Sequence, residues 1–185
     1  MYDDSYVVRR GILVHVGRMS KSSIMSKSWI HERSTHDHSR CIRRAVAIAE
    51  KVCAQKHINL TPLRRRVLEI VWRRHDPIGA YEILAELAKD RETTAPPTVY
   101  RALEFLQEAG LVHRVDALNA FLGCDRPAAD HAGQFLVCGK CRRVAEIEDA
   151  LITQSLLERA GALGFRLNNS AVEIKAVCAR CAGAN

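Results

Sequence analysis

Cys138-Gly139-Lys140-Cys141 and Cys178-Ala179-Arg180-Cys181 are two C-x-x-C pairs with 36 residues between them. Each pair spans a tight turn. Folding that brings the two turns together places four thiolates around one ion, and a closed tetrahedral Cys₄ set is a common structural form of bound Zn²⁺. A shared ion would staple Cys138 to Cys181 and close a small C-terminal domain. The same spacing also suits two disulfides or a pair of reactive redox thiols.

Composition narrows these alternatives. The chain has 185 residues, which predicts one domain or two small ones. Hydrophobic residues make up 48% and charged residues 26%, ordinary values for a soluble globular protein. No apolar run approaches the roughly 18 residues needed to span a bilayer, so no membrane association is expected. The early segment carries Arg9, Arg10, Arg18, Lys21 and Lys27, and its short apolar stretch is interrupted by His15, so a secretory signal is not expected. Seven cysteines in such a chain point to the reducing cytoplasm, where paired cysteines bind metal more often than they form disulfides. The net charge of +7 is unevenly spread. Between residues 41 and 66, Arg43, Arg44, Lys51, Lys56, Arg64, Arg65 and Arg66 face only Glu50, whereas residues 125–185 are nearly balanced. A localised basic face suits nucleic acid, whose affinity rests largely on phosphate neutralisation. A solvated helix face would read the same way.

Residues 1–40 are rich in Ser, Lys, Arg and His and lack periodicity, which predicts a poorly structured extension. His36, His38 and Cys41 close it, and a polar tail is favoured over a metal site there. From Cys41 the pattern turns helical, with Ile42, Val46, Ala49 and Cys53 at helical spacing to about Gln55. Thr61-Pro62 is a capping pair that opens a second helix. In that helix Leu63, Val67, Ile70 and Val71 face inward, and it ends near His75. A third helix follows Gly79. Thr94-Ala-Pro-Pro97 opens a fourth, striped by Val99, Ala102, Leu103 and Leu106 and stopped at Gly110. Strands at Leu111–Val115 and Ala120–Cys124 flank a turn. Helices followed by a β-hairpin form a winged helix-turn-helix, with the helix 96–109 in the major groove and the hairpin as its wing.

Residues 125–132 read as a hinge. Beyond it, strands 134–138 and 144–147, a helix 150–162 and a strand 172–177 make a small α/β domain. Along the last strand, Val172, Ile174 and Ala176 alternate with Glu173 and Lys175. A domain of about 55 residues seldom supports itself without a staple or a partner, and zinc and dimerisation both answer that need. The expected organisation is α+β: an extension 1–40, a winged-helix DNA-binding domain 41–124, a hinge 125–132, and an α/β dimerisation and zinc-binding domain 133–185.

Leu60-Thr61-Pro62-Leu63-Arg64, Pro97-Thr98-Val99-Tyr100-Arg101, His113-Arg114-Val115 and the two C-x-x-C pairs, in this order, resemble the ferric uptake regulator family, and most of all its zinc sensors. The likeness covers about residues 41–182. It implies a homodimeric, metal-dependent transcriptional repressor in which zinc is the co-repressor and zinc-uptake genes are the targets. It also implies a second, regulatory zinc site between the domains, at His113, Cys124, His131 and Glu146, and hence two ions per monomer. One thiolate, two imidazoles and one carboxylate suit tetrahedral zinc. The chain departs from the family's iron and peroxide sensors in carrying one histidine, His131, ahead of Cys138 where they carry several.

The resemblance places DNA contacts at Thr98, Tyr100 and Arg101, with Tyr81 at a phosphate and Arg64 and Arg65 at the backbone. Arg can read guanine bidentately. The expected partner is an A·T-rich palindromic operator. Rival readings are a regulator of the same family answering another metal or peroxide, and a thiol-disulfide protein. Redox enzymes set such a pair at a helix N-terminus to lower a thiol pKa, whereas both pairs here follow strands. No catalytic triad or phosphate-binding glycine loop stands out, so no enzyme is expected.

Overall fold

A computed structural model describes residues 6–9, 12–15, 38–74, 76–90, 94–127, 133–147, 149–167 and 171–183. His36, His75 and His131 therefore lie outside the described residues. Within the extension, β1 (Tyr6–Arg9) and β2 (Ile12–His15) pair antiparallel.

Helix α1 runs from His38 to Gln55, starting three residues before the expected position. Its inner face is Ala45, Ala49, Val52 and Cys53, and Ile42 and Val46 are only half-buried. The stripe is thus rotated toward Ala45 and Val52 from the one read in sequence. His57, at φ 53, ends the helix, and Ile58 N–H closes back on Cys53 O at 3.0 Å. Helix α2 (Pro62–Trp72) starts as the sequence predicts: Thr61 Oγ1 accepts from Arg64 N–H and Pro62 occupies the first turn. Helix α3 (Ala80–Lys89) is capped at Gly79, whose N–H donates to Glu82 Oε2 at 3.0 Å. Helix α4 (Pro96–Glu108) buries Val99, Ala102, Leu103 and Leu106. Gly110, at φ 77, turns the chain out of it.

Strands β3 (Val112–Val115) and β4 (Ala120–Gly123) form the antiparallel wing. They are joined by a 3₁₀ turn, Asp116–Leu118, and by Asn119 in the left-handed region at φ 46. An isolated bridge between Ile78 and Phe121 ties β4 to the entry of α3. One apolar cluster unites the four helices with the base of the wing, and it includes Val67, Leu68, Ile70, Ile83, Leu87, Leu103 and Leu106.

The second unit is a three-stranded sheet of order β6-β5-β7, built from β5 (Gln134–Cys138), β6 (Val144–Ile147) and β7 (Val172–Ala176). β5 pairs antiparallel with β6 and parallel with β7, and the crossover to β7 carries α5 (Ala150–Ala162). Asp149 caps α5, accepting from Leu151 N–H at 2.8 Å. One face of the sheet meets α5, where Gln134 Nε2 donates to Thr153 Oγ1 at 2.7 Å. The other face meets the wing: Phe135 and Val137 pack with Val115, with Leu118, Leu122 and Val144 at the margin. The chain is therefore α+β, a winged helix-turn-helix followed by a small α/β unit. No helix among the described residues is long and apolar enough to cross a membrane.

Gly123 lies directly over the indole of Trp72, and a Cβ there would overlap the ring. Gly123→Ala is expected to destabilise the head by about 1–3 kcal/mol through overpacking. Thermal or denaturant unfolding of the variant checks this.

Candidate metal centres and nucleic-acid interface

Both cysteine turns leave the same end of the sheet because β5 and β7 run parallel with Cys138 opposite Ala176. Gly139 N–H donates to Ala176 O at 3.0 Å, which locks the first turn to the end of β7. Cys178, two residues past β7, caps the single-turn helix α6 (Ala179–Ala182), which holds Cys181. The second pair therefore stands at a helix N-terminus as well as after a strand, a placement the sequence does not predict. Sγ atoms of Cys138, Cys141, Cys178 and Cys181 all lie within 4.8 Å of one another. Cys141 Sγ and Cys178 Sγ are 3.7 Å apart. A disulfide would need about 2.05 Å, whereas a zinc tetrahedron with Zn–S near 2.3 Å has edges of roughly 3.8 Å. None of the seven cysteines is in a disulfide. The donor set thus fits a Cys₄ metal site and not a pair of disulfides.

Electrostatics agree with that fit. Backbone N–H groups of Cys178, Cys141 and Lys140 point at Cys138 and bring its thiol down to about 6. The Cys178 thiol is lowered in the same way, chiefly by the N–H of Cys181. The Cys181 thiol, last to ionise beside Cys141 and Cys178, is pushed up to about 12.

Of the four residues expected to form a regulatory site, three are described. His113 stands on β3, Cys124 directly follows β4, and Glu146 stands on β6. His113 Nε2 lies 3.6 Å from Glu146 Oε1, and both side chains are largely enclosed. The His113 ring meets Phe135 edge-on at 5.3 Å. Cys124 is 3% exposed. Burial, and then the charge of Glu146, push its thiol up to about 12. The fold brings His113 and Glu146 together, with Cys124 in electrostatic range. Among the described residues, only the four-cysteine set converges within 4.8 Å.

The ferric uptake regulator family model matches residues 55–175. The chain belongs to this family. It is 37% identical over 144 residues to the zinc uptake regulation protein of Escherichia coli (strain K12), an alignment spanning 74% of this chain and 80% of that one. It matches the structure of a zinc uptake regulator complexed with zinc and DNA at TM-score 0.71 and 34% identity, over 76% of this chain and 95% of that one. The match to holo XcZur has TM-score 0.69 and 39% identity, over 80% and 100% of the two chains.

In this family member, α4 turns Thr98, Tyr100 and Arg101 outward while Val99 and Leu103 are buried. Tyr81, at the start of α3, is 72% exposed. Arg64 and Arg65 are engaged within the head. The Arg64 guanidinium lies 3.5 Å from the centroid of the Phe105 ring and donates to Asn59 O at 2.6 Å, and Arg65 pairs with Glu50. The sequence reading missed Glu173. Its alternation with Val172 and Ile174 reads as a solvated face, yet the wing covers that face, and Glu173 accepts two N–H bonds from the wing tip. Only the strand order β6-β5-β7 shows this.

Glu146→Gln removes one of the charges that raise the Cys124 thiol. Its pKa is expected to fall from about 12 and still stay above the ordinary thiol value of about 9, because burial is the larger cause. Thiolate absorbance of the metal-free protein, followed against pH, reads this shift.

Proposed function

We propose that this chain is a zinc-responsive, DNA-binding repressor of zinc-uptake genes, acting as a cytoplasmic homodimer. In this reading residues 41–124 are the reading head, 125–132 the hinge and 133–185 the dimerisation domain. The observation that carries it is a preformed Cys₄ cluster on a family-matched frame, with His113 beside Glu146 where the wing meets the sheet. The 37% identity to a zinc uptake regulation protein supports the choice of metal.

Cys138, Cys141, Cys178 and Cys181 would hold one ion throughout, since a closed Cys₄ set leaves no open position. His113, Cys124, His131 and Glu146 would hold a second, exchangeable ion, giving two per monomer. Bound zinc supplies a redox-inert tetrahedral cross-link. What the chain supplies is placement: His113 belongs to one strand of the wing, Cys124 directly follows the other, and Glu146 belongs to the sheet. A cross-link through them fixes the head against the dimer core, and DNA binding must then raise zinc affinity by the factor that zinc raises DNA affinity. A thiolate ligand favours zinc over harder ions.

Exposed apolar surface supports dimerisation. Eight of the ten large apolar side chains exposed among the described residues lie beyond residue 150, and Leu151 is 70% exposed. Each such side chain that becomes buried contributes roughly 1.5–3 kcal/mol, so a handful offsets an association cost of about 4–15 kcal/mol. In the dimer, two copies of α4 would face successive turns of an A·T-rich palindrome, with Thr98, Tyr100 and Arg101 at the bases and Tyr81 at a phosphate. As a regulator the chain would carry no catalytic residue.

Operator-binding titrations in zinc buffers test this reading. Binding should rise with free zinc, and equal binding with and without zinc would refute it. Cys124→Ser should weaken the zinc response while leaving a folded dimer, whereas Cys138→Ser should disrupt the C-terminal unit. Similar mild effects of both changes would overturn the division between a structural and a sensing site. Metal analysis after mild chelation should find one ion retained per chain out of two. Loading of the Cys₄ site should weaken as pH falls through about 6, where the Cys138 thiolate takes up a proton.

A further inference from the structure

The wing tip is held to the C-terminal sheet by groups that are not metal ligands. Asp116–Leu118 is a single 3₁₀ turn, and the first N–H groups of such a turn point outward with no carbonyl of their own to meet. Glu173, on β7, accepts both. Asp116 N–H donates to Oε1 at 2.5 Å and Ala117 N–H to Oε2 at 2.8 Å. A carboxylate spanning two adjacent N–H groups makes charge-assisted bonds with defined geometry. Arg142, the residue after Cys141, donates from its guanidinium to Leu118 O at 3.3 Å. Three consecutive residues of the tip are therefore tied to β7 and to the first cysteine turn.

The strand register links this contact to the proposed sensor. Phe135 is paired with Glu146 on β6 and with Glu173 on β7. Directly paired residues share a face of the sheet, so Glu146, Phe135 and Glu173 form one cross-strand row beneath the wing. The row's three side chains meet the wing in turn. Glu146 lies beside His113 at 3.6 Å, Phe135 packs on the His113 ring and on Val115, and Glu173 takes the tip. The row spans a rigid sheet, so a wing seated on Glu173 is also a wing whose His113 faces Glu146.

We propose that Glu173 is a positioning residue, a metal-independent clasp that pre-seats the wing so that His113 and Glu146 meet before zinc arrives. The proposal rests on the zinc-responsive reading above. A pre-seated head reduces the ordering that zinc must impose, and a binding-competent arrangement populated in advance raises apparent affinity by its population. The clasp thereby sets the zinc concentration at which the repressor engages DNA, without touching either ligand.

The test uses the full chain with Glu173→Ala and the shape-preserving Glu173→Gln, which keeps one acceptor and turns an amide donor toward the other N–H. Dimer elution and retained tightly bound zinc report the fold. In zinc-buffered operator titrations, Glu173→Ala should raise the half-maximal free zinc roughly 3–10-fold, the range expected for one or two partly exposed charge-assisted bonds. Affinity should recover at saturating zinc, and Glu173→Gln should fall between. In chelated protein the Asp116 and Ala117 amides should exchange faster in Glu173→Ala than in the wild type. A simple packing defect would lower DNA affinity at all zinc levels and is an overturning result. So is an unchanged or lowered zinc midpoint, or equal amide exchange in both proteins. If Glu173→Ala does not dimerise, the midpoint of Glu173→Gln decides. A wild-type protein that binds its operator without zinc defeats the functional reading itself, which differs visibly from a responsive wild type with an unaffected variant.

Discussion

Parallel pairing of β5 with β7 sets Cys138 opposite Ala176, so two cysteine turns far apart in sequence leave the same end of one sheet. Parallel strands need a long crossover, and α5 supplies it. The four thiols then converge with no further adjustment of the backbone. The same pairing determines which side chains lie under the wing, because register in a sheet is set residue by residue. A one-residue slip of β7 would turn Glu173 toward α5 and draw Cys178 and Cys181 away from Cys138 and Cys141. A metal held by the four cysteines would therefore guard the register as well as the fold of a unit too small to rely on its own core.

The two apolar clusters divide the labour. The head has a large continuous core running from α1 through the base of the wing. Among the described residues, the cluster at the boundary between wing and sheet buries Val115, Phe135 and Val137. At roughly 1.5–3 kcal/mol for each large side chain, that boundary supplies on the order of 5 kcal/mol before the cost of ordering the joint. Two charge-assisted hydrogen bonds or one bridging ion are comparable to this sum. The head can thus keep its internal structure while its orientation depends on a few polar groups, which is the arrangement a switch requires.

Much of this was readable from one-dimensional pattern. Thr61-Pro62, Pro96-Pro97 and Gly110 act locally, through capping, fixed φ and a left-handed turn, and each stands where the sequence places it. The outward set on α4 followed from helical periodicity. The face of α1 did not: Ala45 and Val52 displace Ile42 and Val46 in the buried row, a choice between neighbouring stripes that periodicity alone does not make. Glu173 was invisible for a related reason. Alternation along a strand shows two faces but not which one another unit covers, and here the polar one is covered. The convergence of the cysteines was legible because metal ligation leaves a fixed spacing in the chain, whereas Glu173 acts on backbone N–H groups, which leave no trace in sequence.

The two proposed zinc sites differ in how their thiols are held. At the cysteine cluster, aimed backbone N–H groups hold Cys138 near 6, so one ligand is already a thiolate at neutral pH. At the wing, Cys124 is enclosed and faces the charge of Glu146, and its thiol stands at about 12. Displacement of that proton costs roughly 4 kcal/mol more than from an ordinary thiol, at about 1.36 kcal/mol per pKa unit. A zinc ion there must overcome burial, a neighbouring negative charge and the ordering of the joint at once, though it also neutralises the Cys124–Glu146 repulsion when it does so. The cysteine set also holds one raised thiol, Cys181 at about 12, so a raised thiol alone does not separate the two proposed sites. The preformed convergence of the four Sγ atoms does, since the wing donors must still be drawn together. Exchange at the proposed wing site would then reflect two demands made together, the gathering of its donors and the deprotonation of Cys124, which sits at the dry exit of a strand within electrostatic range of a carboxylate.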